Sequence, residues 1–286
     1  AEILLWTTES DSVTACPTDL KGPGGAFIPA DSVVTGWLHY VMTDEVSRDP
    51  SHACSPRPDH AEFDSTMVAD VIDTRTVAHI SPRTVQPLWV SVNVPRDIPA
   101  GTYTGEMRWR GSDFRPLKYS ITVVDRTLPL PHDRKFWLDL WQNPYAVARY
   151  YNVPLWSEEH WMAMRDAFEP LAAMGQKCIT APIVTRPWGG QTEDAFESMI
   201  GVTKNLDGSW SYDYQVFDKW IEFMIGLGID RGINCYSLVP WPLTYRYFDR
   251  ARNNMVDLRA DIGTPEYEEF WAPFLTDMAR HLKAKG

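Results

Sequence analysis

The sequence predicts a multidomain β plus α/β protein, with an antiparallel β-sandwich followed by the first part, about three βα units, of a TIM-type (β/α)8 barrel. Up to about residue 127, apolar residues alternate with period two in short runs bounded by Pro, Gly and Asp. Beyond that point, strand-like and helix-like runs alternate. Between them, "TLPLPHD" is a short stiff linker. We therefore predict a sandwich at 1–127, a linker at 128–134 and a barrel portion at 135–286.

Three runs in the first part predict strands. "PLWVSVNVP" and "LKYSITVVD" alternate, and "RDIPAGTYTGEMRW" is a Pro/Gly turn that leads into another strand. Residues 44–66 are polar and rich in proline, so an irregular loop is predicted there. Asp44 and Glu45 are adjacent carboxylates in this region, and surface solvation explains them better than catalysis.

Three strands are predicted in the second part, at "KFWLDLW" (135–141), "KCITAPIV" and "GINCYSLV". Three helices are predicted from caps and apolar stripes. Their boundaries are Ser157 to Gly175, Asp213 to Gly228, and Thr264 to Gly286, and internal kinks are expected at Pro170 and Pro273.

The third helix differs from the first two, because no strand follows its glycine in this sequence. A small parallel sheet of this kind leaves apolar edges and faces uncovered. We therefore expect residue 286 not to be the natural end of the protein. A complementary C-terminal fragment or a second copy is an alternative cover for the uncovered flank.

Composition excludes several classes of protein. The 286 residues carry a net charge of -11, so nucleic acid and anionic membranes are disfavoured partners, and no apolar run has the length of a membrane span. The chain opens on Ala1 without methionine, and we expect an exported protein (periplasmic, cell-surface or secreted) whose signal peptide has been removed. A disulfide between Cys16 and Cys54 remains open, whereas Cys178 and Cys235 are predicted to be buried thiols.

No cofactor or metal is predicted. No nucleotide-binding loop and no serine-hydrolase elbow occurs in the sequence. His52, Cys54 and His60 lie close together, but their spacing fits no common zinc pattern.

In a barrel, the functional residues lie at the carboxyl ends of the strands. Three segments there combine tryptophan with polar groups, "DLWQNPY", "VTRPWGGQTED" and "SLVPWPLTYRY". Rings that stack together with hydroxyl-binding groups are typical of sugar recognition. The predicted substrate-binding residues are Asp139, Trp141, Asn143, Trp188, Gln191, Tyr236 and Trp241.

Each of these assignments has a structural alternative. The three tryptophans would equally close the barrel mouth as core. Asp139 either orients a substrate hydroxyl or pairs with a structural arginine. Glu193 and Asp194 either reach a ligand or begin a helix.

Longer stretches of the sequence resemble glycoside hydrolase family 123 and its bacterial relatives. The likeness is carried by "FWLDLWQNPYAVARYYNVPLWSEEHW", by "INCYSLVPW" and above all by "GVTKNLDGSWSYDY" within the middle of the second part. In the first part, "YVMTDE", "AEFDSTMVADVID" and "AGTYTG" resemble the accessory sandwich of that family.

The resemblance implies a β-N-acetylgalactosaminidase or a close relative that acts on terminal 2-acetamido sugars by a retaining, substrate-assisted mechanism. In such enzymes the acetamido oxygen attacks the anomeric carbon, an Asp orients it, and the adjacent Glu serves as acid and base. That pair would lie after residue 286, and neither Asp44 nor Glu45 matches it. No catalytic residue is therefore assigned, and this chain alone is expected to be inactive. The alternative is a non-catalytic carbohydrate-binding or scaffold protein.

Overall fold

The structure is a computed structural model that describes residues 1–44, 65–190, 193–194 and 196–286, without the side chains of residues 43, 44, 65 and 66. These residues form two compact units, Ala1–Thr127 and Leu128–Gly286. None of the helices in the described part of the chain is both long enough and apolar enough to cross a membrane.

The first unit consists of strands joined by turns. In chain order they are β1 (Glu2–Trp6), β2 (Asp11–Pro17), β3 (Leu20–Lys21), β4 (Phe27–Ile28), β5 (Val33–Asp44), β6 (Ser65–Asp73), β7 (Val77–Ile80), β8 (Val85–Val92), β9 (Gly101–Arg110) and β10 (Leu117–Val123). They form two antiparallel sheets, one in the order β1-β8-β5-β6 and the other in the order β4-β3-β9-β2-β7, with β10 paired to β9.

Side chains from both sheets share one buried cluster, so the sheets pack face to face. Trp37 and Leu88 come from the first sheet, and Tyr103 and Met107 come from the second. Leu88, Tyr103 and Met107 belong to runs that the period-two pattern predicted as strands, whereas Trp37 lies in none of those runs. Cys16 is a free, half-buried thiol, and its suggested partner Cys54 lies outside the described residues.

The second unit mixes helices and strands. In chain order it contains α1 (Pro144–Tyr151), α2 (Glu158–Met174), β11 (Cys178–Pro182), β12 (Gly201–Lys204), β13 (Trp210–Asp213), α3 (Gln215–Gly226), β14 (Gly232–Tyr236), β15 (Thr244–Asp249), β16 (Asn254–Arg259) and α4 (Pro265–Lys285). Strands β11 and β14 pair in parallel, and a separate mixed sheet has the order β13-β12-β15-β16.

The predicted caps at Ser157, Thr264 and Gly175 are confirmed, whereas α3 has Tyr214 and not Asp213 as its N-cap. The Ser157 hydroxyl accepts a hydrogen bond from the His160 N–H at 3.2 Å, and the Thr264 hydroxyl accepts one from the Tyr267 N–H at 3.3 Å. Gly175 ends α2 with φ of 92°, the left-handed conformation that favours glycine. Both α2 and α4 continue through their internal prolines.

Residues 135–141 were predicted to form a strand, but they form no β-ladder in the described structure. In the described residues their pairing consists of one parallel bridge, between Leu138 and Gln176. Beyond that bridge, the backbone N–H and carbonyl of Leu140 bond to the side chain of Gln176 in place of a strand partner.

Two features of the second unit are absent from the sequence-based prediction. Helix α1 begins after Asn143 and lies where a loop was expected. The sheet containing β12, β13, β15 and β16 occupies segments that were expected to connect strands and helices. The β12–β13 hairpin turns at Asp207-Gly208, with Gly208 at φ of 84°, which is a recognisable hairpin signal.

Candidate functional site

The parallel pair β11 and β14 has two faces of different character. On one face, Ile179 and Ala181 belong to the same buried cluster as Phe217 and Trp220 of α3. We call this the covered face. The opposite face carries Cys178 and the β14 residues Gly232, Asn234 and Tyr236, together with the polar and aromatic residues of segment 137–142. We call it the open face.

Buried glutamines attach segment 137–142 to β11. The Gln176 side chain accepts from the Leu140 N–H at 2.9 Å and donates to the Leu140 carbonyl at 3.0 Å. The Thr180 N–H donates to the Gln142 side-chain oxygen at 2.8 Å, and the Gln142 N–H donates to the Thr180 hydroxyl at 3.2 Å. Because both glutamines are buried and bonded, the segment is fixed beside the sheet and holds Asp139 and Trp141 in place.

Three aromatic side chains meet at the carboxyl end of the open face. The Trp141 ring stacks on Trp188 with centroids 5.1 Å apart and an interplanar angle of 24°. Tyr236 lies against both, at 4.9 Å from Trp141 and 4.8 Å from Trp188. Trp141 is 58% exposed, so it is not a core residue in the described structure, whereas Trp188 is half-buried and packs against the buried cluster. We call Trp141, Trp188 and Tyr236 the aromatic cluster.

The loop after β11 positions Trp188. Arg186 adopts a positive φ of 53°, its N–H donates to the Phe196 carbonyl at 2.7 Å, and its own carbonyl accepts from Gly189 at 2.9 Å. The Trp188 ring then packs edge-on against Phe196 at 4.8 Å. A left-handed arginine costs about 1 kcal/mol or more, and such strain is common in binding loops.

Asp139 lies on the open face, and its carboxylate is held by an amide. Its Oδ2 accepts a hydrogen bond from Asn234 Nδ2 at 2.5 Å. Its Oδ1 is buried and has no hydrogen-bond partner among the described residues. The alternative that paired Asp139 with a structural arginine is therefore wrong within the described part of the chain.

Neighbouring groups respond to this carboxylate. Burial raises the pKa of the Tyr236 hydroxyl, and the negative charge of Asp139 raises that pKa further. Burial and the Asp139 charge also raise the pKa of the Cys178 thiol, although hydrogen bonds with Trp137 and Asn234 oppose them. The tyrosine therefore remains a neutral hydroxyl and the cysteine a neutral thiol. The open face offers one carboxylate among uncharged groups.

The remaining predicted residues are placed as follows. Asn143 caps α1, and its side-chain oxygen accepts from the Ala146 N–H at 3.1 Å. The Trp241 side chain is 67% exposed. Its backbone N–H donates to the carbonyl of Pro187, the residue before Trp188, at 2.9 Å. Gln191 lies outside the described residues. The structure thus brings together Asp139, Trp141, Trp188 and Tyr236.

Asn234 is the residue that the sequence-based prediction missed. Strand alternation places it on the same face as Tyr236, two positions later, so the signal was present in "INCYS". Asp194, for which a ligand role and a helix start were both open, forms a two-point ion pair with Arg149 at 2.7 and 3.0 Å.

Metal binding has no support in the described ranges, where no group of three His, Cys, Asp or Glu side chains is placed to hold an ion. His52, Cys54 and His60 lie outside those ranges.

Exposed rings beside a fixed carboxylate and neutral polar groups suit a sugar, which has both an apolar ring face and hydroxyl donors. Comparison with known protein families also points to a protein that acts on sugars. A model of the glycoside hydrolase 123 catalytic domain matches residues 141–286, and a model of the glycoside hydrolase 123 N-terminal domain matches residues 1–110. The chain carries the domains of a glycoside hydrolase.

More specifically, the chain belongs to glycoside hydrolase family 123. A solved structure with the same fold is a family 123 glycoside hydrolase from Clostridium perfringens, described for glycolipid glycan hydrolysis. The two are 27% identical with a TM-score of 0.90, and the match covers 99% of this chain. It covers 49% of the clostridial chain, so this chain spans about half the length of that relative. No curated protein sequence matches the chain.

Proposed function

We propose that this chain is part of a retaining glycoside hydrolase that removes terminal 2-acetamido sugars of the β-N-acetylgalactosaminide type. The observation that carries the proposal is the aromatic cluster beside Asp139, on the open face of a chain from family 123. The three βα units of the sequence-based prediction belong to the same proposal, as the front of a (β/α)8 barrel.

In this proposal the open face binds the sugar and does not cleave it. Trp141 and Trp188 pack on the apolar face of the pyranose ring, while Asp139 and Tyr236 meet its hydroxyls. The exposed Trp241 lines the entrance. The Asp-Glu pair of the substrate-assisted mechanism lies in the polypeptide that follows residue 286, where the Asp orients the acetamido group and the Glu transfers protons.

The match to half of the clostridial chain is compatible with this division, because it leaves polypeptide in that relative that the present chain does not match. Export of the protein is part of the same proposal. Periplasmic or extracellular fractionation of the native protein tests it, and a cytoplasmic location would contradict it.

The direct experiment compares the 286-residue chain with a longer protein that includes the next strand. We expect release of p-nitrophenol from p-nitrophenyl N-acetyl-β-D-galactosaminide by the longer protein and none by the chain alone. NMR of the first product should show the β-anomer, as retention requires. No release by the longer protein would refute the proposal, and turnover by the chain alone would refute the placement of the acid.

A non-catalytic carbohydrate-binding or scaffold protein is the competing function. The open face is compatible with it, since that face provides aromatic rings and a carboxylate acceptor, which binding alone requires. Sugar binding by the longer protein without any turnover would identify this alternative.

A further inference from the structure

We propose that the outer face of the sheet β1-β8-β5-β6 is a dimer interface, which a second copy of this chain covers around a twofold axis. Its exposed side chains are Leu4 and Trp6 of β1, Trp89 of β8, Val34 and Met42 of β5, and Ile72 of β6. We call this surface the apolar sheet face. It lies in the first unit, so the inference goes beyond the proposed function and does not depend on any sugar.

Strand register shows that these side chains point away from the sandwich core. Buried Leu88 and Trp37 point inward, so the residues that alternate with them, among them Trp89, point outward. Trp89 is paired with Gly36, and a Cβ at Gly36 would collide with the Ile72 side chain. The pairing of β1 with β8 adds the exposed residues of β1 to the same side. All four strands therefore present one continuous surface.

The other outer face of the same sandwich has the composition of a solvated surface. There the outward positions of β9 and β10 carry Thr104, Glu106, Arg108 and Lys118, and Glu106 pairs with Arg108 at 3.1 Å. On the apolar sheet face, Glu2 at the margin is the one charged side chain at a ladder position, among the side chains that the structure describes. Since both are outer faces of one sandwich, strand composition in general does not explain the difference.

The size of the apolar sheet face fits one half of a dimer interface. Its six residues expose between 39% and 71% of their surfaces, and Tyr40, Met67 and Val85 add exposed apolar groups at its border. A large apolar side chain has roughly 150–250 Å² of surface, so the face offers on the order of 800 Å². A standard interface buries about 800 Å² on each partner, whereas the largest apolar patch of a typical monomer has about 300–600 Å².

The chemistry of the face favours a second copy over other partners. Tryptophan, tyrosine and methionine with almost no charge is the composition of the buried centre of a homodimer interface. A partner recognised through charge would need charged groups here, and the net charge of -11 opposes an anionic lipid surface. Two twisted sheets pack face to face through apolar side chains, and a twofold axis gives both copies the same contacts.

Sedimentation velocity of the wild-type 286-residue chain, in a dilution series through the micromolar range, is the direct test. We expect a reversible equilibrium between one chain and two chains, because interfaces of standard size give dissociation constants in or below that range. A single chain at every concentration would overturn the inference.

Matched substitutions then locate the interface. Leu4→Lys and Trp6→Lys place a charge on the apolar sheet face of both copies, and each should raise the dissociation constant about a hundredfold or more. The controls are Leu206→Lys, at the turn of the β12–β13 hairpin, and Phe27→Lys, on the outer face of the second sheet, since both residues are exposed. The controls should leave the dissociation constant unchanged, and far-UV circular dichroism checks that each variant folds.

Methionine oxidation tests the wild-type chain without any substitution. Met42 on the apolar sheet face and Met162 on α2 are both exposed. Brief peroxide treatment followed by mass spectrometry should oxidise both in the dilute chain. At concentrations where two chains associate, oxidation of Met42 should slow several-fold while Met162 reacts as before. An unchanged rate at Met42 would contradict the interface even if the lysine variants fail to fold.

The remaining outcomes also decide the question. A dissociation constant that stays at its wild-type value in Leu4→Lys and Trp6→Lys, or that rises equally in the two controls, would overturn the inference. So would a wild-type chain that stays single but sediments with neutral phosphatidylcholine vesicles, because a lipid surface would then cover the face. A chain that dimerises while the longer protein releases no p-nitrophenol refutes only the proposed function, and the reverse result refutes only the interface.

Discussion

The two faces of the β11–β14 pair are built from the same strands and differ in almost every other respect. Trp220 on the covered face is 0% exposed, and its indole N–H donates to the Thr180 carbonyl at 3.0 Å. Trp141 on the open face is 58% exposed and stacks on a second tryptophan. The covered face buries its apolar groups and pairs the Trp220 indole, whereas the open face keeps the Trp141 ring exposed and places a carboxylate beside it.

The difference separates stability from recognition. Folding free energy comes from apolar burial and paired polar groups, and these lie on the covered face. Exposed rings contribute little to folding, and we propose ligand binding as the reason for their arrangement. Substitutions on the two faces should therefore affect different measurements.

The largest expected effect is on the covered face. Replacing Trp220 by Ala should lower the free energy of unfolding by about 3–5 kcal/mol, because it leaves a cavity and an unpaired Thr180 carbonyl. Trp141→Ala is the matched variant and should cost less than about 1 kcal/mol, as exposed substitutions usually do. Urea unfolding measures both, and equal losses would show that the two faces do not differ in this way.

The second largest expected effect concerns the hydrogen bonds by which Gln176 holds segment 137–142. Gln176→Ala removes the partners of the Leu140 N–H and carbonyl, and we expect a loss of about 1–3 kcal/mol in urea unfolding. Hydrogen exchange at the Leu140 amide should accelerate in the same variant. Gln215→Ala, at an exposed position in the first turn of α3, is the control, and an unchanged Leu140 amide would contradict the attachment.

On the open face, ring removal should alter sugar use. Trp188 is half-buried against the buried cluster, so its removal should also cost some stability, whereas removal of the exposed Trp241 should not. Trp188→Ala in the longer protein should lower kcat/KM. The loss should correspond to about 1–3 kcal/mol of transition-state stabilisation, since a stacked ring near the centre of a site contributes that much. Trp241→Ala should act in the same direction but less, because its exposed ring has no ring partner among the described residues to hold it. Unchanged kinetics for Trp188→Ala would make its ring structural.

The smallest effect concerns the helices behind the covered face. Burial acts to raise the pKa of Asp218 on α3, but hydrogen bonds from His281 and Lys285 of α4 outweigh it and hold the pKa below its ordinary 3.8. The lowered pKa stabilises the fold above that value and is lost as pH falls through the folded-state value. Asp218→Asn should therefore flatten acid unfolding below 3.8 by less than about 1 kcal/mol. An unchanged pH dependence would show that Asp218 is not part of this linkage.

Local signals in the sequence predicted the local structure well. The caps at Ser157 and Thr264 depend on residues three positions apart, so a single sequence contains the information. The alternating run "INCYS" likewise identified β14. Its alternation also places Asn234 on the same face as Tyr236, which is the open face.

The remaining errors come from interactions between distant residues. Residues 135–141 have strand composition, but the side chain of Gln176 bonds the backbone N–H and carbonyl of Leu140, and no periodicity reveals that. Asp139 was expected to meet a substrate hydroxyl or an arginine, yet the amide that binds it lies 95 positions away in sequence. Such pairings follow from the fold and not from any local pattern.

The central claim is that the open face binds a sugar and the covered face does not. Titration of the 286-residue chain with N-acetyl-D-galactosamine, followed through the indole N–H signals in NMR, tests it most directly. We predict shifts for Trp141 and Trp188 with no shift for Trp220. The account would be contradicted if the Trp141 and Trp188 signals did not shift while others did. It would also be contradicted if no indole signal shifted at the highest sugar concentration.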